Sequence, residues 1–404
     1  MEHIPEMYIK EAVTYFIANA NLQIEGIDMA IPYIVGAPGI GKTRFLEHEC
    51  KRLGFGFISF HFSLIPIEEI GGLPIFKTIE TQEKSISGTE WSLPDIMTKI
   101  YEMSNKHKKI IVFLDDAHMC SPGHLALMYE MFTERKLRDY VFPKNAAFLL
   151  AGNDTVKSGA KQMFGAIVNR LAVHKVVPHF EQWMTEYAIP NNVNPKIISF
   201  LKNEINRTYF LGEESTNEPW PSPRSWSRFS EMLNAMEAYI PNVNINNIMY
   251  MAYGHVGGKS ASEFSAYYDI YSKTQMDQIF ERKREIQIPN TNTDAYIYGM
   301  AASNEYVNKI VEANNKETGK PIKAKIDSAI EIISQIVSMI GQNNIEISVA
   351  LLKNISDYEN ALKQDNNRRQ NLQLENILRE IKRINPMIDE KLTKSITEIL
   401  GAIS

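Results

Sequence analysis

The sequence predicts an α/β fold in which a mostly parallel sheet carries helices on both faces, followed by a region built from helices alone. Short apolar runs alternate with helical patterns over residues 1–180, which is typical of such a sheet. No strand-like run occurs between about residues 181 and 270. From about residue 271 onward, isoleucines recur every three or four positions, as they do on one face of a helix.

The strands of the predicted sheet correspond to short apolar runs. These are Tyr33–Val35, Gly56–Phe62, Ile110–Leu114, Ala147–Ala151 and His174–Val177. The chain of 404 residues is long enough for two or three domains with separate cores. We therefore predict an α/β core over residues 1–180, an all-helical second domain over residues 181–270 and a helical C-terminal region of unassigned role over residues 271–404.

The isoleucine-rich helices of the C-terminal region allow two interpretations. One stripe comprises Ile322, Ile326, Ile330, Ile333, Val337 and Ile340, and similar stripes lie within residues 377–384 and 388–400. The first interpretation is that these faces pack together in a small helical bundle. The second is that one of them binds a partner.

The composition restricts the partners and the compartment. Lys and Arg number 43 against 48 Asp and Glu, and the resulting net charge of -5 gives no overall attraction to nucleic acid. Cys50 and Cys120 have no metal-ligand spacing, which favours a reduced, cytoplasmic protein. The first residues lack a secretory pattern, and no apolar run approaches the roughly 18 residues of a membrane span.

The most specific motif is a glycine-rich segment near the start of the chain. Gly36, Ala37, Pro38, Gly39, Ile40, Gly41, Lys42 and Thr43 match G-x-x-x-x-G-K-[ST], between an apolar run and a helical pattern. Such a loop turns backbone N–H groups toward phosphate oxygens at a helix N-terminus. We expect Lys42 to reach the β- and γ-phosphates of a nucleotide and the Thr43 hydroxyl to bind Mg²⁺.

Two acids and an amide follow later strands. Asp115 and Asp116 come directly after one apolar run, and Asn153 closely follows the next. Ligands bind at the carboxyl ends of parallel strands in such folds. We expect Asp115 to bind Mg²⁺, Asp116 to deprotonate the attacking water, and Asn153 to hydrogen-bond that water or the γ-phosphate. Alone, two acids at a strand end would be unremarkable, but the upstream loop favours the catalytic interpretation.

Two arginines are candidates for the charge that stabilises phosphoryl transfer. Arg170 lies just ahead of the last strand, and Arg224 lies in the helical second domain. A cation delivered to the γ-phosphate raises the rate by several orders of magnitude. Because both residues are far from the loop in sequence, they would act across a domain or subunit boundary. The alternative is that both are solvated surface arginines.

Taken in order, these motifs resemble those of the AAA+ ATPases, within them the MoxR-like, helix-2-insert group, over residues of about 8 to 270. The segments are similar to Walker A (Gly36–Thr43), Walker B (Ile110–Asp116), sensor 1 (Asn153), the arginine finger (Arg170) and sensor 2 (Arg224). The stretch of about residues 66–94 resembles the insert hairpin of that group. The resemblance implies a lid over residues 181–270 and does not cover the chain beyond about residue 271.

The resemblance also implies an activity and partners. It implies ATP and Mg²⁺ as ligands, a homo-oligomeric ring, commonly of six subunits, and remodelling of a protein client, often one with a von Willebrand factor A domain. A nucleic-acid motor is the alternative, based on the clusters Arg282-Lys283-Arg284 and Arg368-Arg369. Asp116 stands where the family usually has Glu, so we expect slow hydrolysis. A nucleotide-gated scaffold that hardly turns over is a third option.

Overall fold

A computed structural model of the chain describes residues 5–80, 85–153, 165–215, 217–240, 243–314, 323–364 and 372–401. The chain divides into two compact units, Met1–His179 and Phe180–Ser404. The first unit contains the strands, in chain order β1 (Glu6–Tyr8), β2 (Ile31–Val35), β3 (Gly56–His61), β4 (Pro74–Glu80), β5 (Ser85–Trp91), β6 (Ile110–Asp115), β7 (Lys136–Leu137), β8 (Tyr140–Val141), β9 (Ala146–Gly152) and β10 (Leu171–Val177).

The main sheet of the first unit has six strands in the order β1-β10-β2-β9-β6-β3. Every neighbouring pair in it is parallel, as predicted. All five apolar runs form strands of this sheet, which confirms the predicted α/β core. The strand β1 escaped sequence analysis because three residues at a sheet edge produce no periodic pattern. The remaining strands form two antiparallel pairs, β4 with β5 and β7 with β8.

Helices cover both faces of this sheet. They are α1 (Ile9–Ile24), α2 (Lys42–Arg52), α3 (Ile67–Gly71), α4 (Asp95–Lys106), α5 (Pro122–Glu134) and α6 (Gly165–Val168), with 3₁₀ turns at Phe62–Leu64 and Ala117–Met119. Alternate residues of the fully buried strand β6, Ile110, Val112 and Leu114, share one core with residues of α4 and α5. Because side chains alternate along a strand, Ile111 and Phe113 face the other side of the sheet. Helices α1 and α2 pack against the sheet through residues outside that core.

The antiparallel pair β4–β5 lies where the insert hairpin is predicted, with Pro74 opposite Trp91. Its tip, residues 81–84, lies outside the described residues. The Arg138 guanidinium lies 4.6 Å from the centre of the Trp91 ring, and the Tyr140 hydroxyl donates to the Trp91 carbonyl. Trp91 therefore packs the hairpin base onto its own unit. Phe76, in contrast, is 89% exposed.

The second unit consists of helices in its described residues. They are α7 (Phe180–Trp183), which continues into a π-helical turn (Met184–Ala188), α8 (Pro195–Lys202), a 3₁₀ turn (Asn206–Tyr209), α9 (Pro223–Tyr239), α10 (Ile245–Val256), α11 (Gly258–Lys273), α12 (Met276–Phe280), α13 (Asn292–Asn314), α14 (Lys323–Asn343), α15 (Ile345–Gln364), α16 (Leu374–Ile384) and α17 (Pro386–Gly401). The side chains of Asn194, Ser222 and Asn244 cap α8, α9 and α10. Within the described residues, no helix is both long and apolar enough to cross a bilayer.

The helices of residues 180–270 and those beyond share one hydrophobic core. The isoleucine stripe on α14 contributes to it, since Ile330, Ile333, Val337 and Ile340 are buried, which confirms the packing interpretation for this stripe. Ile322, its first predicted member, lies outside the described residues. A domain boundary near residue 270 therefore stays a prediction.

A buried ion pair links the two parts of this core. Lys202 on α8 donates through Nζ to Asp357 and to Asn354 Oδ1, 3.1 Å away, both on α15. Only 9% of the Lys202 side chain is exposed. Burial lowers the pKa of Lys202, and the nearby Asp357 carboxylate opposes this shift. The charged lysine therefore depends on its partner.

Replacement of Asp357 by alanine is expected to lower the free energy of unfolding by about 3–5 kcal/mol, because it leaves a buried ammonium without its counter-charge. The loss should shrink as the pH rises, because a lysine with a lowered pKa binds fewer protons in the folded than in the unfolded state. Urea unfolding followed by circular dichroism measures the effect. Asp269→Ala removes an exposed partner of Lys273 and should change stability by less than about 0.5 kcal/mol. Equal losses in both variants would contradict the expectation.

Both cysteines are buried free thiols. Burial, followed by the effect of Glu49 and Glu47, raises the pKa of Cys50 to about 12. Burial, followed by the effect of Asp116, raises the pKa of Cys120 to about 12. Because the thiolate is the reactive form, neither residue is suited to nucleophilic chemistry near neutral pH.

Candidate functional site

The glycine-rich loop joins the end of β2 to the start of α2 and lies at the carboxyl edge of the sheet. Gly41 has φ of 97°, a left-handed conformation that favours glycine, and α2 begins at the next residue. Gly36 lies against β10, where an added Cβ would come within 2.6 Å of the Val176 carbonyl oxygen. The loop therefore takes this path only with glycine at both positions.

The start of α2 is suited to an anion. No side chain caps this helix, and its first turn carries no acid. The first backbone N–H groups of a helix have no partner within it, and the helix dipole places partial positive charge there. A phosphate group would satisfy both.

Lys42 is the first residue of α2, and it is 9% exposed. Its Nζ donates to the carbonyl oxygens of Gly36, at 2.8 Å, and Ala37, at 3.1 Å. It also donates to Asn153 Oδ1 at 3.0 Å. These three acceptors are neutral, and charged phosphate oxygens would make shorter and stronger hydrogen bonds with the ammonium.

Thr43 and Asp115 form an oxygen pair beside the lysine. The Thr43 hydroxyl donates to Asp115 Oδ2 at 2.6 Å, and Asp115 is 8% exposed at the end of β6. Mg²⁺ prefers oxygen ligands and usually combines one or two protein oxygens with phosphate oxygens and waters. The pair therefore fits a magnesium ion that is bound together with a nucleotide.

Asp116 follows Asp115 in a left-handed conformation, with φ of 54°. Aspartate tolerates this conformation better than most residues. The Asp116 N–H donates to Asp115 Oδ1 at 2.9 Å. Its own carboxylate is 39% exposed, with Oδ2 3.2 Å from Nδ1 of His61, the last residue of β3. The Asp116 carboxylate is thereby accessible to water and held on one side by an imidazole.

Sheet order explains how Asn153 reaches the site. The strand β9 lies between β2 and β6, so the residue after β9 lies between the loop and the two acids. The Asn153 N–H donates to His118 Nδ1 at 3.2 Å, and His118 lies in the 3₁₀ turn that follows Asp116. This contact fixes the backbone of Asn153 relative to the end of β6.

Arg170 lies at the opposite edge of the sheet. Its carbonyl oxygen accepts the Ile31 N–H at the start of β2, whereas the loop follows Val35, which pairs with Lys175. Five strand residues, each with a rise of about 3.3 Å, therefore place Arg170 roughly 16 Å from the loop along the strand direction. An extended arginine side chain spans only roughly 7 Å, given ordinary bond lengths. Arg170 therefore does not reach the loop of its own chain.

Arg224 belongs to the second unit. It is the second residue of α9, after the capping residue Ser222 and Pro223, and its side chain is exposed. A cation at a helix N-terminus opposes the helix dipole, so this position does not serve the stability of α9.

Sequence analysis missed two polar contacts around these residues. His61 lies within an apolar run, and His118 lies in a short turn, so neither had a motif to mark it. His61 lies near Asp116 only because β3 pairs with β6, and His118 contacts Asn153 only because β9 pairs with β6.

The fold and the loop define an α/β P-loop nucleotide-binding fold. Lys42, Thr43, Asp115, Asp116 and Asn153 meet at one edge of its sheet.

Comparison with known proteins adds little to this assignment. No protein-family profile matches the chain, and no curated protein matches it. Among solved structures, a mutant of Thermotoga maritima RuvB is 11% identical, covers 71% of this chain and 80% of its own, and has a TM-score of 0.35. The Thermotoga maritima RuvB Holliday junction branch migration motor is 13% identical, covers 71% and 79%, and has a TM-score of 0.30. Likenesses this distant carry no argument, so the assignment rests on the geometry described above.

Proposed function

We propose that this chain is an AAA+ ATPase that binds ATP with Mg²⁺, hydrolyses it slowly and uses the cycle to remodel a protein partner, as the MoxR-like group does. One observation carries the proposal. A buried lysine, a Thr–Asp oxygen pair, a second acid and an amide meet beside an uncapped helix N-terminus. Each group has a task in phosphoryl transfer.

The binding half of the site comprises Gly36–Thr43 and Asp115. Backbone N–H groups of the loop and Lys42 would hold the phosphates, and the Thr43 and Asp115 oxygens would hold Mg²⁺, which would neutralise charge on the β- and γ-phosphates. The choice of ATP over GTP rests on the family resemblance, because none of these residues contacts a base.

The hydrolytic half comprises Asp116 and Asn153. Asp116 would accept a proton from the attacking water, and Asn153 would orient that water or the γ-phosphate. Arg224 would sense the γ-phosphate from the lid. Asp116 is one methylene shorter than the glutamate usual in the family, and a misplacement of about 1 Å can cost roughly a hundredfold in rate. Slow turnover follows.

The position of Arg170 supports action across a subunit boundary. Arg170 lies roughly 16 Å from the loop of its own subunit along the strand direction, which is too far for a role at that loop. An arginine finger at this place would therefore serve a neighbouring subunit. A closed ring lets every subunit both give and receive such a residue. We propose a homo-oligomeric ring, with six subunits as the resemblance implies.

A protein client suits the surface better than nucleic acid does. In the cluster Arg282-Lys283-Arg284, Arg282 pairs with Glu331, Lys283 with Glu281, and Arg284 donates to Gln275. Two of the three charges are thus neutralised locally, which does not favour an open basic patch. The second cluster, Arg368-Arg369, lies outside the described residues. The exposed Phe76 on the insert hairpin offers an apolar contact to a protein client. We propose that this client carries a von Willebrand factor A domain and that the two proteins meet in the cytoplasm.

A mixing experiment tests the ring and the shared site together. Lys42→Ala and Arg170→Ala proteins should each hydrolyse ATP at a background rate. Mixed in equal amounts, they should regain up to about a quarter of the wild-type rate, because some interfaces combine an intact loop with an intact arginine. Additive background rates in the mixture, or a monomer at micromolar concentration with a non-hydrolysable analogue, would contradict the proposal. ATPase stimulation by DNA that weakens with salt would favour a nucleic-acid motor instead.

A further inference from the structure

The side chain of Arg170 is held by an aromatic residue from another element. Tyr129 lies on α5, and its ring centre is 4.5 Å from the Arg170 guanidinium. Arg170 Nη2 also donates to the Tyr129 hydroxyl at 3.1 Å. The ring and the hydroxyl of Tyr129 therefore both hold the Arg170 guanidinium.

This contact lies outside the core of the first unit. Tyr129 is 37% exposed, whereas Leu125, Met128 and Met131 form the buried face of the same helix. A cation–π contact at an exposed site contributes roughly 0.5–1 kcal/mol, so it has little weight in folding. The same contact restricts the rotation of the Arg170 side chain. This effect matters more than the contribution to folding, because a free arginine side chain carries roughly 2 kcal/mol of rotamer entropy.

We propose that Tyr129 is a positioning residue that orders Arg170 for delivery to the ATP site of the neighbouring subunit. This inference rests on the proposed function. An arginine ordered before the subunits meet loses less entropy when it contacts the γ-phosphate at the transition state. The effect belongs to the rate of hydrolysis and not to the affinity for ATP, since an interaction made only in the transition state raises kcat without tightening substrate binding.

The mixed assay isolates this role, because each subunit then has one task. The Lys42→Ala subunit supplies Arg170, and the Arg170→Ala subunit supplies the working loop. Tyr129→Leu in the subunit that supplies Arg170 should lower the restored kcat by about tenfold with little change in KM. Tyr129→Phe, which keeps the ring and loses the hydroxyl, should lower it by about two- to threefold. The same Tyr129→Leu change in the Arg170→Ala subunit has no arginine to position and should not lower the restored rate further.

The outcomes separate this inference from the proposed function. Equal losses from Tyr129→Leu in either subunit would mark a general structural effect and overturn the inference. No loss in either subunit would overturn it as well. If the mixture without any Tyr129 change fails to recover activity, the shared site itself is wrong, and the inference falls with it. Thermal unfolding and the oligomer mass of each variant should match those of the parent, because the contact lies outside the core.

Discussion

Lys42→Ala is expected to weaken ATP binding by at least about a hundredfold. Lys42 is 9% exposed, and its ammonium lies inside the loop, where charge-assisted hydrogen bonds to phosphate oxygens are strong. No other lysine or arginine lies within the loop segment Gly36–Thr43. Isothermal titration calorimetry with a non-hydrolysable analogue and Mg²⁺ measures the dissociation constant without the complication of turnover.

Lys51→Ala is the matched control for this change. Lys51 lies in the last turn of the same helix and is exposed, so its removal alters the net charge equally while leaving the loop intact. Its dissociation constant should stay within about twofold of the parent value. If Lys42→Ala binds the nucleotide as tightly as Lys51→Ala does, the loop is not the phosphate site and the proposed function fails at its first step.

Asp116→Ala is expected to abolish measurable ATP hydrolysis, with a loss of at least about a hundredfold in kcat. ATP binding should remain within a few fold of the parent value. The reason is that the neighbouring acids Asp115 and Asp116 have different tasks. Asp115 is in contact with Thr43 on the binding side, whereas the Asp116 carboxylate points away from that pair, toward His61. Loss of a general base typically removes two to four orders of magnitude in rate.

The control is Asp139→Ala, an exposed acid at the turn between β7 and β8. It should leave both kcat and the dissociation constant unchanged. Normal hydrolysis by Asp116→Ala would show that the base has been assigned wrongly. A nucleotide-gated scaffold predicts instead that the parent protein releases at most about one phosphate per site even with ATP in excess, and that Asp116→Ala differs little from it.

Asp116→Glu tests why turnover should be slow. If reach limits the rate, the longer carboxylate should raise kcat, by up to about tenfold. The left-handed backbone at this position, with φ of 54°, opposes the gain, since it suits aspartate better than glutamate. A rate that falls with glutamate would indicate that backbone conformation and the contact with His61 matter more than reach. Steady-state phosphate release should be measured side by side for the parent protein, Asp116→Ala and Asp116→Glu.

The Asp116→Ala protein also offers a route to the client. Because it should bind ATP without hydrolysing it, it should hold the ATP-bound conformation and retain partners that the parent protein releases. Affinity capture with this variant and with Lys42→Ala as the nucleotide-free reference would identify partners specific to the ATP state. A partner recovered equally with both variants would not be a client of the cycle.

The sequence by itself determined five of the six strands of the main sheet, and the loop. Both depend on short stretches of chain, since an apolar run of a few residues defines a buried strand and Gly36–Thr43 carries its own turn and helix start. It also determined that Asp115 and Asp116 end a strand, and therefore that they lie at the ligand-binding edge of a parallel sheet.

Only the tertiary structure decided which distant residues meet. The insertion of β9 between β2 and β6 brings Asn153 to Lys42, and the pairing of β3 with β6 brings His61 to Asp116. The contact of Tyr129 with Arg170, and the shared core of the helices before and after residue 270, arise in the same way. The physical reason is that periodicity acts within one element, whereas strand order and helix packing depend on surfaces far apart in the chain.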